Sequence, residues 1–160
     1  MKFKYIKSNI EESGYIIGHF ILTDLVPGQG LTIGNALRRV LLSNLEGTAI
    51  TAIRIPGVSH EFSTIYGIRE DILEILLNLK QIILRTDKKQ IISGKIQAKG
   101  PGIITANSII FDSKVKIINP NQYIATISSS QSIEFDILAE YSLGYNFGEE
   151  KTNKNYNFLN

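Results

Sequence analysis

The sequence contains no cysteine. This absence excludes a disulfide framework, a thiolate metal site and a cysteine nucleophile. The chain also has little excess of either charge, because its 17 basic and 15 acidic residues give a formal net charge of +2. Such a balance gives no electrostatic basis for clamping nucleic acid or an anionic membrane. Long apolar runs are missing too, since none approaches the ~20 residues of a membrane span.

The N-terminus lacks the marks of a targeting segment. Residues 1–5 are followed by no apolar stretch and no small-residue cleavage site of a secretory signal, and the region is too poor in serine for a transit peptide. We therefore expect the protein to be made in the compartment where it works. Isoleucine occurs 28 times, asparagine 12 times, and 12 lysines outnumber 5 arginines. This bias towards A/T-rich codons indicates an organellar or an A/T-rich bacterial genome.

The 160 residues are 43% hydrophobic and 20% charged, which indicates one globular domain or one domain with an inserted lobe. The pattern predicts an N-terminal arm or edge strand at 1–15, a bent strand with a bulge at Gly18 at 15–26, and a further strand at 48–55. After residue 82 the pattern predicts an antiparallel meander with strands at 82–86, 91–97, 103–111, 115–118, 123–128 and 132–140.

The first predicted helix has two different faces. Stepping about 100° per residue from Ile33 places one apolar set on a single face, made of Ile33, Leu37, Val40, Leu41 and Leu45. The opposite face carries Asn35, Arg38, Arg39 and Leu42. We expect Thr32 to cap the start and Asn44 to mark the end. Arginines around one aliphatic side chain are typical of a protein interface, although a solvated helix face is an equally simple interpretation.

A second helix is predicted from about Gly67 to Gln81. Its buried stripe is expected to contain Ile68, Ile72, Ile75, Leu76 and Leu79, and Leu73 and Leu77 widen the apolar surface enough to touch a second neighbour. Glu70 and Asp71 are expected in the first turn, where negative charge suits the helix dipole. With Glu74 they could bind a cation, but a solvated helix start is the simpler interpretation.

Two further motifs invite a chemical interpretation. Gly28, Gly30 and Gly34 resemble a dinucleotide loop, but the spacing is one residue too long and no acidic residue follows about 20 positions on. His60 and Glu61 fall short of a metal site, because adjacent residues of a strand point to opposite faces. A tight turn and a polar surface pair are the simpler interpretations.

Three segments carry a family resemblance. Residues 28–43 (GQGLTIGNALRRVLLS) resemble the first dimer helix of the bacterial-type RNA polymerase alpha subunit family. Residues 57–64 (GVSHEFST) and 70–80 (EDILEILLNLK) match two further family segments in the same order. The resemblance runs from about Phe20 to Tyr145 and weakens after Arg85. The residues flanking the third segment look most like the plastid and cyanobacterial branch, which favours a plastid polymerase, with the bacterial cytoplasm as the alternative location.

The resemblance implies a non-catalytic scaffold with an α+β fold. Residues 1–47 would form an incomplete dimerisation domain, a small antiparallel sheet with one helix. Residues 48–145 would form an inserted β-rich lobe with the second helix, and 146–160 a flexible tail. Because the family continues beyond the point that matches Asn160, we expect a fragment, a split subunit or a reduced form.

The resemblance also implies partners. A second alpha subunit would contact the apolar residues Ile33, Leu37, Val40 and Leu41. The large subunit beta would contact Asn35, Arg38, Arg39, Leu42, His60, Glu61, Phe62 and Gly67, and the lobe would approach beta or beta-prime. Nucleotidyl transfer belongs to the large subunits, so we expect no catalytic residue, cofactor or metal on this chain, no membrane contact, and DNA only through the complex. Two alternatives stay open: a small nucleotide-binding enzyme and a free-standing protein-interaction module.

Overall fold

The computed structural model describes residues 1–10, 16–58, 60–87 and 89–145. The tail predicted at 146–160, and Tyr15 of the predicted bent strand, lie outside the described residues. The chain divides into two compact units, one from Met1 to Leu45 and the other from Glu46 onward. Antiparallel sheets and two α-helices make up the described residues, so the predicted α+β class is confirmed.

The first unit contains an antiparallel pair of strands, β1 (Lys2–Ile10) and β2 (Ile16–Thr23). The register shifts between Tyr5 and Lys7, so the irregularity lies on β1, and the prediction of a bulge at Gly18 was wrong. Gly18 has a packing role instead. A Cβ at this position would lie 2.8 Å from the ring of Phe20, which stacks on Phe3 at a centroid distance of 5.2 Å.

The same unit contains helix α1 (Gln29–Ser43). It begins before the predicted start, because Gly28 is the N-cap with φ 90° and the Gln29 side chain accepts a hydrogen bond from the Val26 amide at 3.0 Å. The prediction that Thr32 caps the helix was therefore wrong: its hydroxyl lies in the first turn and donates to the Gly28 carbonyl. Asn44 ends the helix as predicted, and Leu45 lies outside it.

The second unit contains a six-stranded antiparallel sheet in the order β7-β5-β10-β3-β4-β8, and a two-stranded sheet of β6 and β9. The elements are β3 (Glu46–Arg54), α2 (Ile72–Lys80), β4 (Leu84–Arg85), β5 (Ile92–Lys99), β6 (Gly102–Thr105), β7 (Ile109–Phe111), β8 (Lys116–Ile117), β9 (Tyr123–Ile127) and β10 (Ser132–Leu143). The order is not a meander, because β10 returns between β3 and β5. The predicted strand 103–111 is broken by a 3-10 turn at Ala106–Ser108.

The core of the described chain belongs to the second unit. Alternate residues of β10 are buried as the period-2 pattern predicts, namely Ile133, Phe135, Ile137 and Ala139. Helix α2 packs on β3 and β9 through Ile72, Ile75, Leu76 and Leu79, which confirms four of the five predicted stripe residues. Leu73 and Leu77 are exposed, so the second neighbour expected for them is not present in the described part of the chain.

The start of α2 was placed too early. The helix begins at Ile72, and the side chain of Asp71 caps it by accepting a hydrogen bond from the Glu74 amide at 2.7 Å. Gly67 has a positive φ of 78°, which interrupts helical winding. Ile68 therefore lies outside the helix and pairs with Ile127 in an isolated bridge. Asp71 is an N-cap and not a first-turn residue, and Glu70 lies before the helix altogether.

Candidate functional site

Helix α1 is exposed on all sides. Its apolar face, defined as Ile33, Leu37, Val40 and Leu41, is uncovered: the last three expose 56%, 53% and 55% of their surface, and only Ile33 is partly buried. In the described part of Met1–Leu45 no residue is buried at all. Apolar side chains in a continuous exposed stripe mark a surface that meets another element or another protein.

The outer face of α1, defined as Asn35, Arg38, Arg39 and Leu42, is exposed as well. Leu42 leaves 56% of its surface in solvent. Within the described ranges, neither arginine side chain makes an ion pair. Their guanidinium groups therefore retain their donors for an external acceptor, and planar arginine donors suit carboxylate and carbonyl groups of a protein. The predicted helix thus exists, and its two faces are both accessible.

The second group of predicted residues lies in the other unit, on the loop that precedes α2. We call residues 60–71 the docking loop. His60 and Glu61 are exposed in a bend, and the Ser63 hydroxyl lies 3.1 Å from the His60 Nδ1. Phe62 exposes 76% of its surface, and Tyr66, which the sequence analysis missed, exposes 88%. Gly67 holds the positive φ at which the loop turns towards β9.

Glu70 is the one charged residue of the described chain that is buried, with 5% of its surface exposed. Its carboxylate accepts hydrogen bonds from the Tyr123 hydroxyl, from the Thr126 amide at 2.6 Å and from the Arg69 guanidinium at 2.9 Å. Burial on its own raises the pKa of the Glu70 carboxyl, but the bonds from Tyr123 and Thr126 outweigh burial and hold the pKa below its ordinary value. The carboxylate is therefore charged at neutral pH. Because it is buried and lies before α2, the prediction of a solvated helix start was wrong for Glu70.

No local pattern could have identified this role of Glu70. Its donors Tyr123 and Thr126 lie 53 and 56 residues further along the chain, and the local sequence shows only an acidic residue before a helix. The signal for Tyr66 was its place directly before Gly67, since glycine marks turns and turns lie at the surface.

The geometry argues against the nucleotide-loop hypothesis. Only Gly28 of the three glycines precedes the helix, whereas Gly30 and Gly34 are wound into α1. A dinucleotide loop also lies in a βαβ unit whose two strands are parallel members of one sheet, whereas β2 and β3, which flank α1 in the chain, belong to different antiparallel sheets. In the described ranges there is also no group of three His, Asp or Glu residues that could hold a metal ion. Neither described helix is long and apolar enough to span a membrane.

Comparisons with known proteins point in one direction. The family described as "RNA polymerase Rpb3/RpoA insert domain" matches residues 53–160. The DNA-directed RNA polymerase subunit alpha of Trieres chinensis is 52% identical over 157 residues, which cover 98% of this chain and 50% of that protein. The subunit of the same name from Synechococcus sp. (strain JA-3-3Ab) is 49% identical over 140 residues, covering 88% and 42%. That of Rhodomonas salina is 54% identical over 130 residues, covering 81% and 41%. The chain spans about half the length of these curated relatives or slightly less.

Proposed function

Because the chain belongs to the RNA polymerase Rpb3/RpoA insert domain family, we propose that it is a non-catalytic alpha subunit of a DNA-directed RNA polymerase. Its role is to assemble the enzyme that transcribes DNA into RNA. The observation that carries this proposal is the two-sided exposure of α1, an apolar face and an arginine-bearing face on one uncovered helix. A scaffold needs two such surfaces, one for each kind of partner.

The apolar face of α1 supports pairing with a second alpha subunit. Leu37, Val40 and Leu41 lie on one side of the helix, and two copies of such a stripe related by a two-fold axis would cover one another. Burying exposed aliphatic surface supplies the driving force, about 25 cal/mol per Å². The chain then dimerises through Ile33, Leu37, Val40 and Leu41.

The outer face of α1 and the docking loop support recruitment of the large subunit beta. Arg38 and Arg39 supply charged donors around the aliphatic anchor Leu42, with Asn35 beside them. His60, Glu61, Phe62 and Gly67 present a second patch with an exposed aromatic ring. The β-rich lobe approaches beta or beta-prime. The domain division on which this arrangement rests, residues 1–47 for assembly and 48–145 for the lobe, stays a prediction.

The chemistry of transcription resides on the large subunits in this proposal. The chain supplies no active site, needs no cofactor or metal of its own, and meets DNA only as part of the complex. Relatives in Trieres chinensis, Phaeodactylum tricornutum and Thalassiosira pseudonana, each 52% identical, support a plastid polymerase, consistent with the A/T-rich codon bias. The cyanobacterial relatives keep the bacterial cytoplasm as the alternative.

Capture of the beta subunit tests the proposal. The tagged full chain is co-expressed with beta, and Arg39→Ala and Leu42→Asp are compared with Lys7→Ala, an exposed cation on β1. We expect Arg39→Ala to weaken capture by about 1–3 kcal/mol and Leu42→Asp to abolish it, because one loses charged donors and the other puts a charge at an apolar anchor.

The control should bind beta like the parent chain. Equal capture of beta by all three variants would contradict the assignment of the outer face. Fractionation provides a second check: a chain that never co-sediments with transcription activity would be a free-standing interaction module instead.

A further inference from the structure

The docking loop is attached to β9 through its own backbone. The Arg69 amide donates to the Thr126 carbonyl at 3.1 Å, and the Ser128 amide donates to the Gly67 carbonyl at 2.8 Å. Between these two bonds lies the bridge of Ile68 with Ile127. Residues 67–69 therefore run as a short antiparallel third strand beside β9 of the β6–β9 sheet.

One buried carboxylate holds the end of this short strand. Glu70 Oε2 accepts from the Thr126 amide, and Oε1 accepts from Tyr123 and Arg69. An unpaired charge in such a place would destabilise the fold strongly, but here every contact that reaches the two oxygens comes from a donor. The loop is consequently fixed at the point where it joins α2.

The turn at Tyr66 and Gly67, in the middle of the loop, is fixed in a different way. The Gln131 side chain donates to the Tyr66 carbonyl, and a Cβ on Gly67 would clash with the side chains of Ser129 and Gln131. The Tyr66 side chain itself stays 88% exposed, although its backbone is held. A rigid backbone that presents exposed aromatic rings is the arrangement found at interface hot spots, because little entropy is lost when a partner binds.

We propose that Glu70 is a positioning residue, whose buried carboxylate fixes the docking loop to β9 so that Tyr66 is presented as an aromatic anchor for the large subunit beta. The proposal rests on the function proposed above for this chain. It adds Tyr66 to the binding surface, and it assigns to Glu70 a role in recruitment without any contact with the partner.

Glu70→Gln is the sharpest perturbation, because it changes one oxygen to an amide nitrogen of similar size. Its NH2 group would face the Thr126 amide in one orientation and the Arg69 guanidinium in the other. Either orientation places two donors against each other. Glu74→Gln is the matched control, since Glu74 lies four residues on and is exposed.

Two measurements on the full chain separate positioning from contact. Hydrogen exchange reports whether the Arg69 and Ser128 amides stay protected, and titration with purified beta subunit reports affinity. For Glu70→Gln we expect exchange at both amides to rise and affinity to fall, each by about tenfold. For Tyr66→Ala we expect a similar loss of affinity with unchanged exchange, because only the anchor is removed. Glu74→Gln should change neither.

The outcomes also distinguish this inference from the function on which it rests. If the parent chain does not bind beta, the proposed function fails. If the parent binds beta and Glu70→Gln loosens the loop without loss of affinity, or leaves both amides protected, the positioning role is refuted. Should Glu70→Gln unfold, Tyr123→Phe decides the question, because it removes one donor to the carboxylate and keeps the ring. The same two amides must then loosen and affinity must fall.

Discussion

Replacing Leu41 of α1 by alanine should weaken self-association of the chain without unfolding it. Leu41 exposes 55% of its surface, and its neighbours on the apolar face, Leu37 and Val40, are exposed to a similar extent. The side chain therefore contributes little to the fold of one copy. In the proposed dimer the exposed half of this side chain becomes buried on both copies.

The size of the effect follows from this exposure. Complete burial of a leucine side chain contributes about 1.5–3 kcal/mol, so burial of the exposed half contributes about 1 kcal/mol per copy. Both copies lose it in the variant, which gives about 2 kcal/mol, or about a 30-fold increase in the dissociation constant of the dimer. Alanine preserves helix propensity, so α1 itself should persist.

Sedimentation equilibrium over a range of protein concentrations measures this constant directly. Leu31→Ala is the matched control, because Leu31 lies on α1 outside the apolar face and exposes 75% of its surface. The dimer constant of the control should match that of the parent. A dimer that is unaffected by Leu41→Ala, or that is weakened equally by the control, would refute the assignment of the apolar face.

Further expectations concern the second unit. The lowered pKa of Glu70 means that its stabilising contribution is complete above the ordinary value of 4.5 and is lost as the pH falls through the lowered value, so Glu70→Gln should flatten the acid limb of a plot of unfolding free energy against pH. Phe135→Ala should cost about 3–5 kcal/mol in urea denaturation, because Phe135 is fully buried and the sheet cannot close around the cavity. Gly94→Val should lower the thermal midpoint by several degrees, because a Cβ there would lie 2.6 Å from the ring of Phe111, whereas Lys99→Val on the same strand should not.

Sequence periodicity predicted those parts of the fold that depend on burial along one element. The stripe of Ile72, Ile75, Leu76 and Leu79 and the alternation along β10 both follow from side chains that must face one core. The strands after residue 82 were also located, although the 3-10 turn at Ala106–Ser108 interrupts one of them. The order of the strands within the sheet was not predicted, because strand pairing depends on contacts between residues that are distant in the sequence.

The errors at helix starts have a local cause. Apolar spacing continues through Ile68, yet Gly67 turns the backbone and Asp71 caps the helix, so α2 starts later than its apolar pattern. Helix α1, in contrast, starts earlier than predicted, because Gly28 caps it through its positive φ and not through a side chain. No local sequence pattern predicts the buried position of Glu70, since its carboxylate is bound by Tyr123 and Thr126 of β9.

Site-specific photo-crosslinking in the reconstituted polymerase identifies the partner of each face of α1. A crosslinking amino acid is placed at position 41, on the apolar face of α1, or at position 42, on its outer face. We expect position 41 to crosslink to a second alpha chain and position 42 to crosslink to the beta subunit. Crosslinks from both positions to the same partner, or from neither position to any subunit, would contradict this expectation.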